Sequence, residues 1–268
     1  MVRTLLIATC MAFLGSVAKG HEFWIDPLDH QVSFGDKVQA DLRVGEAYEG
    51  GRQSYLPRNF RRFDYVLQGQ TLPVEGRIGD RPAMQVTPEA EGLLVAVHVT
   101  TDSHITWTTW DRFASFLTHK DLTWGLEAHA DRGLPREDVR ERYSRYAKSL
   151  IAVGDGAGSD SEVGLETEIV ALENPFTDNM ADGLDIRALY RQAPMQNVQI
   201  EVFQKAPDGS VDVTLHRTND AGEATIPVKP GHRYQLDTVV LRPLDMAEPG
   251  DASWETLWAN MTLEVPEN

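Results

Sequence analysis

The stretch "NVQIEVFQ", residues 197–204, places Val198, Ile200 and Val202 on one face, the two-residue period of a strand with one side toward a core. Its neighbours read the same way. "VDVTLHRT" (211–218) and "EATIPV" (223–228) are joined by the turn residues "NDAG" (219–222), and "HRYQLDTVVLRP" (232–243) follows the Pro230–Gly231 corner. With "DIRALYR" (185–191) upstream and "MTLEV" (261–265) near the end, there are enough strands for a small transthyretin-like or immunoglobulin-like sandwich. No internal repeat of short period is visible.

The first half carries a similar pattern. "KVQADLRVG" (37–45), "FDYVLQ" (63–68), "AMQVTP" (83–88), "GLLVAVHVTT" (92–101) and "HITWTT" (104–109) are short segments bounded by Gly, Pro or Asp, as in antiparallel strands. The period then changes. "DRFASFLTHKDL" (111–122) and "PREDVRERYSRYAKSL" (135–150) carry apolar or aromatic residues at helical spacing, with Pro135 suited to a first helical position. A strand, "SLIAVG" (149–154), and then "GDGAGSDSE" (154–162) follow. The latter reads as a linker or as a long hairpin tip within one domain. The expected fold is mainly β: two β-sandwich domains, residues 21–160 and 161–268, with a short helical excursion late in the first.

The amino terminus reads as an export signal. Arg3 precedes the apolar run Thr4–Val17, too short to span a bilayer with its flanks, and small residues follow. Residues 1–20 are therefore expected to be a signal peptide. Cleavage after Gly20 makes His21 the first residue, and cleavage after Ala18 leaves Lys19-Gly20-His21. The single cysteine, Cys10, lies within the leader, so the exported chain has no thiol and no disulfide. The chain carries 41 acidic against 25 basic residues, a formal charge of −16. That balance argues against nucleic acid and anionic membrane surfaces as partners. After signal cleavage no second run approaches spanning length, so the product is not expected to be membrane-embedded.

"HEFWIDP" (21–27) directly after the leader, "RYAKSLIAVG" (145–154), "GLETEIVALENPFTD" (164–178) and "WETLWANMTLEV" (254–265) resemble the DUF4198 family of exported bacterial proteins. That family includes periplasmic components associated with nickel and cobalt uptake through energy-coupling-factor transporters. The resemblance implies a periplasmic, mostly β protein whose mature amino terminus helps to bind a transition metal.

His21 suits that role chemically. A free α-amine and Nδ1 of the same histidine close a chelate ring on one cation. One further imidazole completes the nitrogen set of a copper histidine brace, while a mixed nitrogen and oxygen shell suits nickel, cobalt or zinc. The alternative terminus, Lys19-Gly20-His21, can encircle Cu(II) or Ni(II) in a square plane through its amine, two backbone amides and the imidazole. For second ligands, His119 and His129 flank "KDLTWGLEA" (120–128) and become neighbours if the chain turns near Gly125. The family resemblance, through a shared "THKD…H" layout, singles out this pair. His98, mid-strand in "VAVHVTT" (95–101), faces either a solvent side or a site, and His30, His104, His216 and His232 read as ordinary strand or turn histidines. Glu22, Asp26, Asp111 and Glu127 are carboxylates available to complete a shell. Trp107, Trp110, Trp124, Trp254 and Trp258 read as core anchors rather than a sugar-stacking platform.

Enzymatic signatures are absent: no HExxH, GxSxG, P-loop or dinucleotide fingerprint occurs. The expected function is a non-enzymatic periplasmic accessory protein that captures a transition metal, nickel or cobalt with copper or zinc as competitors, for an inner-membrane metal transporter. The alternatives are a copper-binding protein or histidine-brace oxidase, and a metal-free module that binds a protein or glycan.

Overall fold

A computed structural model describes residues 21–248 and 250–267; the expected leader, 1–20, lies outside them. The chain runs through β1 (Glu22–Pro27), β2 (Gln31–Val32), β3 (Val38–Glu46), β4 (Glu49–Gln53), β5 (Phe60–Leu67), β6 (Gln70–Pro73), β7 (Met84–Val86), β8 (Gly92–Thr100) and β9 (Ser103–Trp107). Two helices follow, α1 (Trp110–His119) and α2 (Trp124–Asp131). The remainder is β10 (Val139–Val153), β11 (Thr167–Ala171), β12 (Leu184–Tyr190), β13 (Ala193–Pro194), β14 (Gln199–Lys205), β15 (Val211–Arg217), β16 (Glu223–Ile226), β17 (His232–Pro243) and β18 (Trp254–Val265). The protein is mainly β, and no described helix is long and apolar enough to cross a membrane.

A ten-stranded sheet organises the molecule, in the order β15-β14-β17-β18-β10-β8-β5-β6, with β2 and β9 also paired to β10. It takes strands from both sides of residue 160. One four-stranded sheet, β1, β3, β4 and β7, covers one face, and a second, β11, β12, β13 and β16, covers the other. Phe23, Ile25, Val38 and Leu42 meet Phe63, Leu94, Ala96 and Ile151 on the first side. Ile169, Ile186 and Ile226 meet Val95, Val97, Leu150, Leu236 and Leu257 on the second. Being covered on both faces is why "GLLVAVHV" in β8 is a continuous apolar run rather than an alternating one.

The helices form a third layer. Phe113, Phe116 and Leu117 project from α1 at helical spacing onto Trp107, Val239, Leu241, Trp254 and Trp258, so these three tryptophans are core anchors; Trp110 is only partly buried, and Trp124, expected as an anchor, is instead 49% exposed. Residues 135–150, expected to be helical, instead form most of β10. At its start Val139 and Glu141 are buried against Arg140 and Arg142, which is strand periodicity, and from Tyr146 to Val153 every side chain is buried, as in a strand covered on both faces. Sheet pairing on both sides overrides the helical propensity of its Arg and Glu residues.

The β3–β4 hairpin is closed by Ala47 and Tyr48, both at positive φ, 50° and 64°, the backbone of a two-residue I′ turn. Neither residue is glycine, and the strain is offset by burial of the Tyr48 ring against Trp24 at 6.1 Å. Beside the turn a side chain is impossible: a Cβ on Gly45 would lie 1.9 Å from the Glu49 carbonyl.

The 154–162 stretch forms no strand or helix, yet it is firmly held. Lys148 Nζ on β10 meets Asp160 at 2.8 Å and Glu168 at 3.0 Å and donates to the Ser161 carbonyl at 3.1 Å, all in the interior. Removing the ammonium leaves two buried carboxylates without a counter-charge. Lys148→Met is therefore expected to cost about 3–5 kcal/mol, read from the shift of the urea midpoint.

Candidate functional site

Four strands and a helix end converge on one buried ammonium. Glu22 begins β1, Glu201 lies on β14 directly opposite Asp237 on β17, and Lys120 caps the C-terminus of α1. Lys120 Nζ donates to Glu22 Oε1 at 3.1 Å, Glu201 Oε2 at 2.6 Å and Asp237 Oδ2 at 3.1 Å. All four side chains are almost wholly buried, and the three donors of the ammonium are thereby used. Its charge also lies 4.8 Å from the centre of the Trp258 ring, a cation–π contact. A carboxylate oxygen from each of Glu22, Glu201 and Asp237 lies within 4.8 Å of the others.

Three carboxylates on one lysine leave excess negative charge. Burial works against the Lys120 cation, but Asp237, Glu22 and Glu201 overcome it and hold the lysine charged. Burial likewise opposes ionisation of Glu201, yet the hydrogen bond from His119 and the charge of Lys120 hold it down to about 2. Glu22 is pushed up to about 7, by burial first and by Asp237 in addition, with only partial relief from Lys120. Burial also raises Asp237. Among the described residues, Glu22 Oε2 is buried without a partner, and the Asn260 amide is the neutral group placed to bond the Asp237 carboxyl. Asn260 stands opposite Asp237 in the β17–β18 register.

His21 is exposed, one residue before this cluster, and its carbonyl accepts from Arg145 Nη2 at 2.9 Å. It lines two spaces. One is a small cavity of about 70 Å³ with Trp107, Glu141, Tyr143, Arg145 and Trp258, and the other is an open groove of about 730 Å³ along Gly45, Glu46, Glu49 and Val211. His119 is half-exposed, with Nε2 3.2 Å from Glu201 Oε1. Contacts thus link Glu22, Lys120, Glu201 and His119, whereas His21 adjoins Glu22 only along the chain and is not grouped with His119 among the described residues.

His129 does not join them. Trp254 Nε1 donates to its Nδ1 at 3.0 Å, and its Nε2 is 3.0 Å from the Pro135 carbonyl. An indole can only donate, so Nε2 carries the proton and no ring lone pair is left for a metal. The expectation of His129 as a ligand is corrected: it is a buried core histidine, stacked on Trp254 at 6.2 Å. Asp26 pairs with Arg43, and Asp111 and Glu127 are exposed on the helices. Glu22 is the one expected carboxylate that reaches the cluster. Lys120, Glu201 and Asp237 were not anticipated, although an acid in the middle of an apolar strand, as in "VQIEVF" or "QLDTVV", is a signal that invites a buried partner.

The family described as a domain of unknown function, DUF4198, matches residues 18–242. The chain belongs to the DUF4198 family. No curated protein matches it. The matched stretch contains Glu22, His119, Lys120, Glu201 and Asp237, whereas β18 falls beyond it, so Trp258 and Asn260 of this DUF4198 protein complete the site from outside the matched region.

Two predictions follow from the buried charges. Lys120→Met abandons three carboxylates in the interior and is expected to cost about 3–5 kcal/mol in urea unfolding. Glu141 accepts from Trp107 Nε1 at 2.7 Å and from Thr256 Oγ1, and burial pushes it from 4.5 up to about 7 despite these donors. Because its folded pKa lies above its unfolded value, its contribution to stability is complete below about pH 4.5 and is lost as pH rises through about 7. That contribution is on the order of 3 kcal/mol. Glu141→Gln should flatten the fall in melting temperature between pH 5 and 7.5 in a calorimetric series.

Proposed function

We propose that this DUF4198 protein is an exported, periplasmic metal-binding accessory protein that captures a transition metal ion, nickel or cobalt, and delivers it to a membrane uptake transporter. In this reading a signal peptide, residues 1–20, is removed and His21 begins the mature chain. The amine and ring nitrogen of His21 take the ion, and His119 with the outer oxygen of Glu201 supplies further donors. One observation supports this above the others: His21 is exposed and directly precedes Glu22, a member of a buried cluster that sets three carboxyl groups around one lysine. The interior of that cluster is already seated around Lys120, so an ion enters there only by displacing the ammonium. The histidine edge needs no such displacement. Capture is expected to weaken on acidification, since amine and imidazole must lose protons to bind.

In the same reading the sheets act as two fused sandwiches, residues 21–160 for capture and 161–268 for docking. The edge strand β15 favours the latter role. Val213 and Leu215 are 48% and 60% exposed on it, and Leu215 is paired with Glu201. A metal-free protein-binding module is the second reading, and it rests on that apolar strip alone.

Native intact mass of the exported protein, with limiting nickel, cobalt or copper, tests the proposal. The expected result is a chain beginning at His21 that holds one ion. His21→Ala should lower the affinity at least tenfold with the circular dichroism spectrum unchanged, and His119→Ala should lower it less. A different mature terminus, or equal ion retention by His21→Ala, overturns it.

A further inference from the structure

A second site, independent of the metal reading, opens between β3, β5 and β8. It is a cavity of about 260 Å³ whose walls include Phe23, Phe60, His98, Asn59, Thr100 and Arg145. That volume is at the small end for ligand pockets. Its charge pattern is unlike that of the rest of the molecule. In a chain with 41 acidic residues, no carboxylate lines this cavity, and its one formal charge is the Arg145 guanidinium.

Arg145 is short of partners. Nη2 donates to the His21 carbonyl at 2.9 Å, and the guanidinium lies 4.6 Å from the Tyr143 ring centre and is hydrogen-bonded to that side chain. Nε is buried with no partner, and no ion pair involves this arginine among the described residues. Three residues earlier on β10, Arg142 is paired with Glu255 at 2.8 Å. A guanidinium presents a planar fork matched to a carboxylate, and Arg145 stands in the wall of this cavity without a carboxylate bonded to it. The backbone N–H of Arg145 donates to Thr100 Oγ1 at 3.0 Å, which fixes the residue at the cavity wall.

The floor is aromatic. His98 is enclosed by Phe23, Phe60 and Phe63 at ring-centre distances of 4.8, 5.4 and 4.9 Å. Burial depresses it to about 3, so the ring is neutral, and its Nδ1 has no partner. A purely inorganic anion would leave these rings unused, and a cation would meet Arg145 with no acid to hold it.

We infer that this cavity binds a small organic carboxylate, its charge on Arg145 and its apolar body on the rings of Phe23, Phe60 and His98. The test is isothermal titration of the full exported chain with benzoate, its neutral isostere benzamide, and acetate, which lacks the ring. Benzoate is expected to bind one to one, at least tenfold more tightly than either of the others. Arg145→Met should remove the preference over benzamide. Should that variant fail to fold, Asn59→Trp, at an exposed position on the cavity wall, should block benzoate without touching Arg145. The inference is overturned by any of three results: no saturation by benzoate into the low millimolar range, equal affinity for benzamide or acetate, or undiminished benzoate binding by Asn59→Trp.

Discussion

The parallel pairing of β10 with β18 is the constraint on which everything else rests. Nine residue pairs, from Glu141 with Trp254 to Ser149 with Thr262, join the middle of the chain to its last strand. Without it the sheet would end at β18 on one side and at β10 on the other. With it, ten strands form a continuous surface on which β1 lies across β10 and β18, bringing Glu22 over Glu201 and Asp237. Thr262 Oγ1 seals that crossing by donating to the Ile25 carbonyl at 2.7 Å. Contacts of such sequence separation carry a loop-closure cost before they return any stability.

The two faces of this sheet each hold a buried lysine among carboxylates, and the difference between them is informative. Around Lys148 the account closes: Glu168 accepts from the backbone of Val163 and Leu165, Asp160 from Ser161 and Ala171, and no polar atom of the three side chains is left over. Such a cluster pins a loop. Around Lys120 the account stays open, with an unpartnered oxygen on Glu22. A buried polar group left unsatisfied costs about 1–3 kcal/mol, so the open account around Lys120, with His119 on Glu201 at its rim, is what distinguishes a candidate site from a structural pin.

Opposite electrostatic characters meet at a single hydrogen bond. Acidic residues surround His21 on the side of Glu22, Glu46 and Glu49, while Arg145 holds the same residue's carbonyl from a cavity without acids. The net charge of −16 therefore says little about either site, because partitioning within a few ångströms decides which ion each attracts.

Short-range patterns determined much of this protein in the sequence itself: the strands of the second half, the helical face of Phe113, Phe116 and Leu117, the anchors Trp107, Trp254 and Trp258 though not Trp124, and His21 as a distinctive residue. These depend on a period of two or of three to four residues, which any local stretch displays. Residues 135–150 escaped that logic because their charges are matched by distant groups, Arg142 by Glu255 and Lys148 by Asp160 and Glu168, which make a charged segment fit for the centre of a sheet. His129 looked free because the indole that occupies it, Trp254, lies 125 residues away. Glu201 and Asp237 were visible as acids within apolar strands, but not as partners of Lys120. Only the tertiary structure decided those pairings, since register between strands far apart in the chain is set by burial and by matching of buried charge, neither of which leaves a local periodic trace.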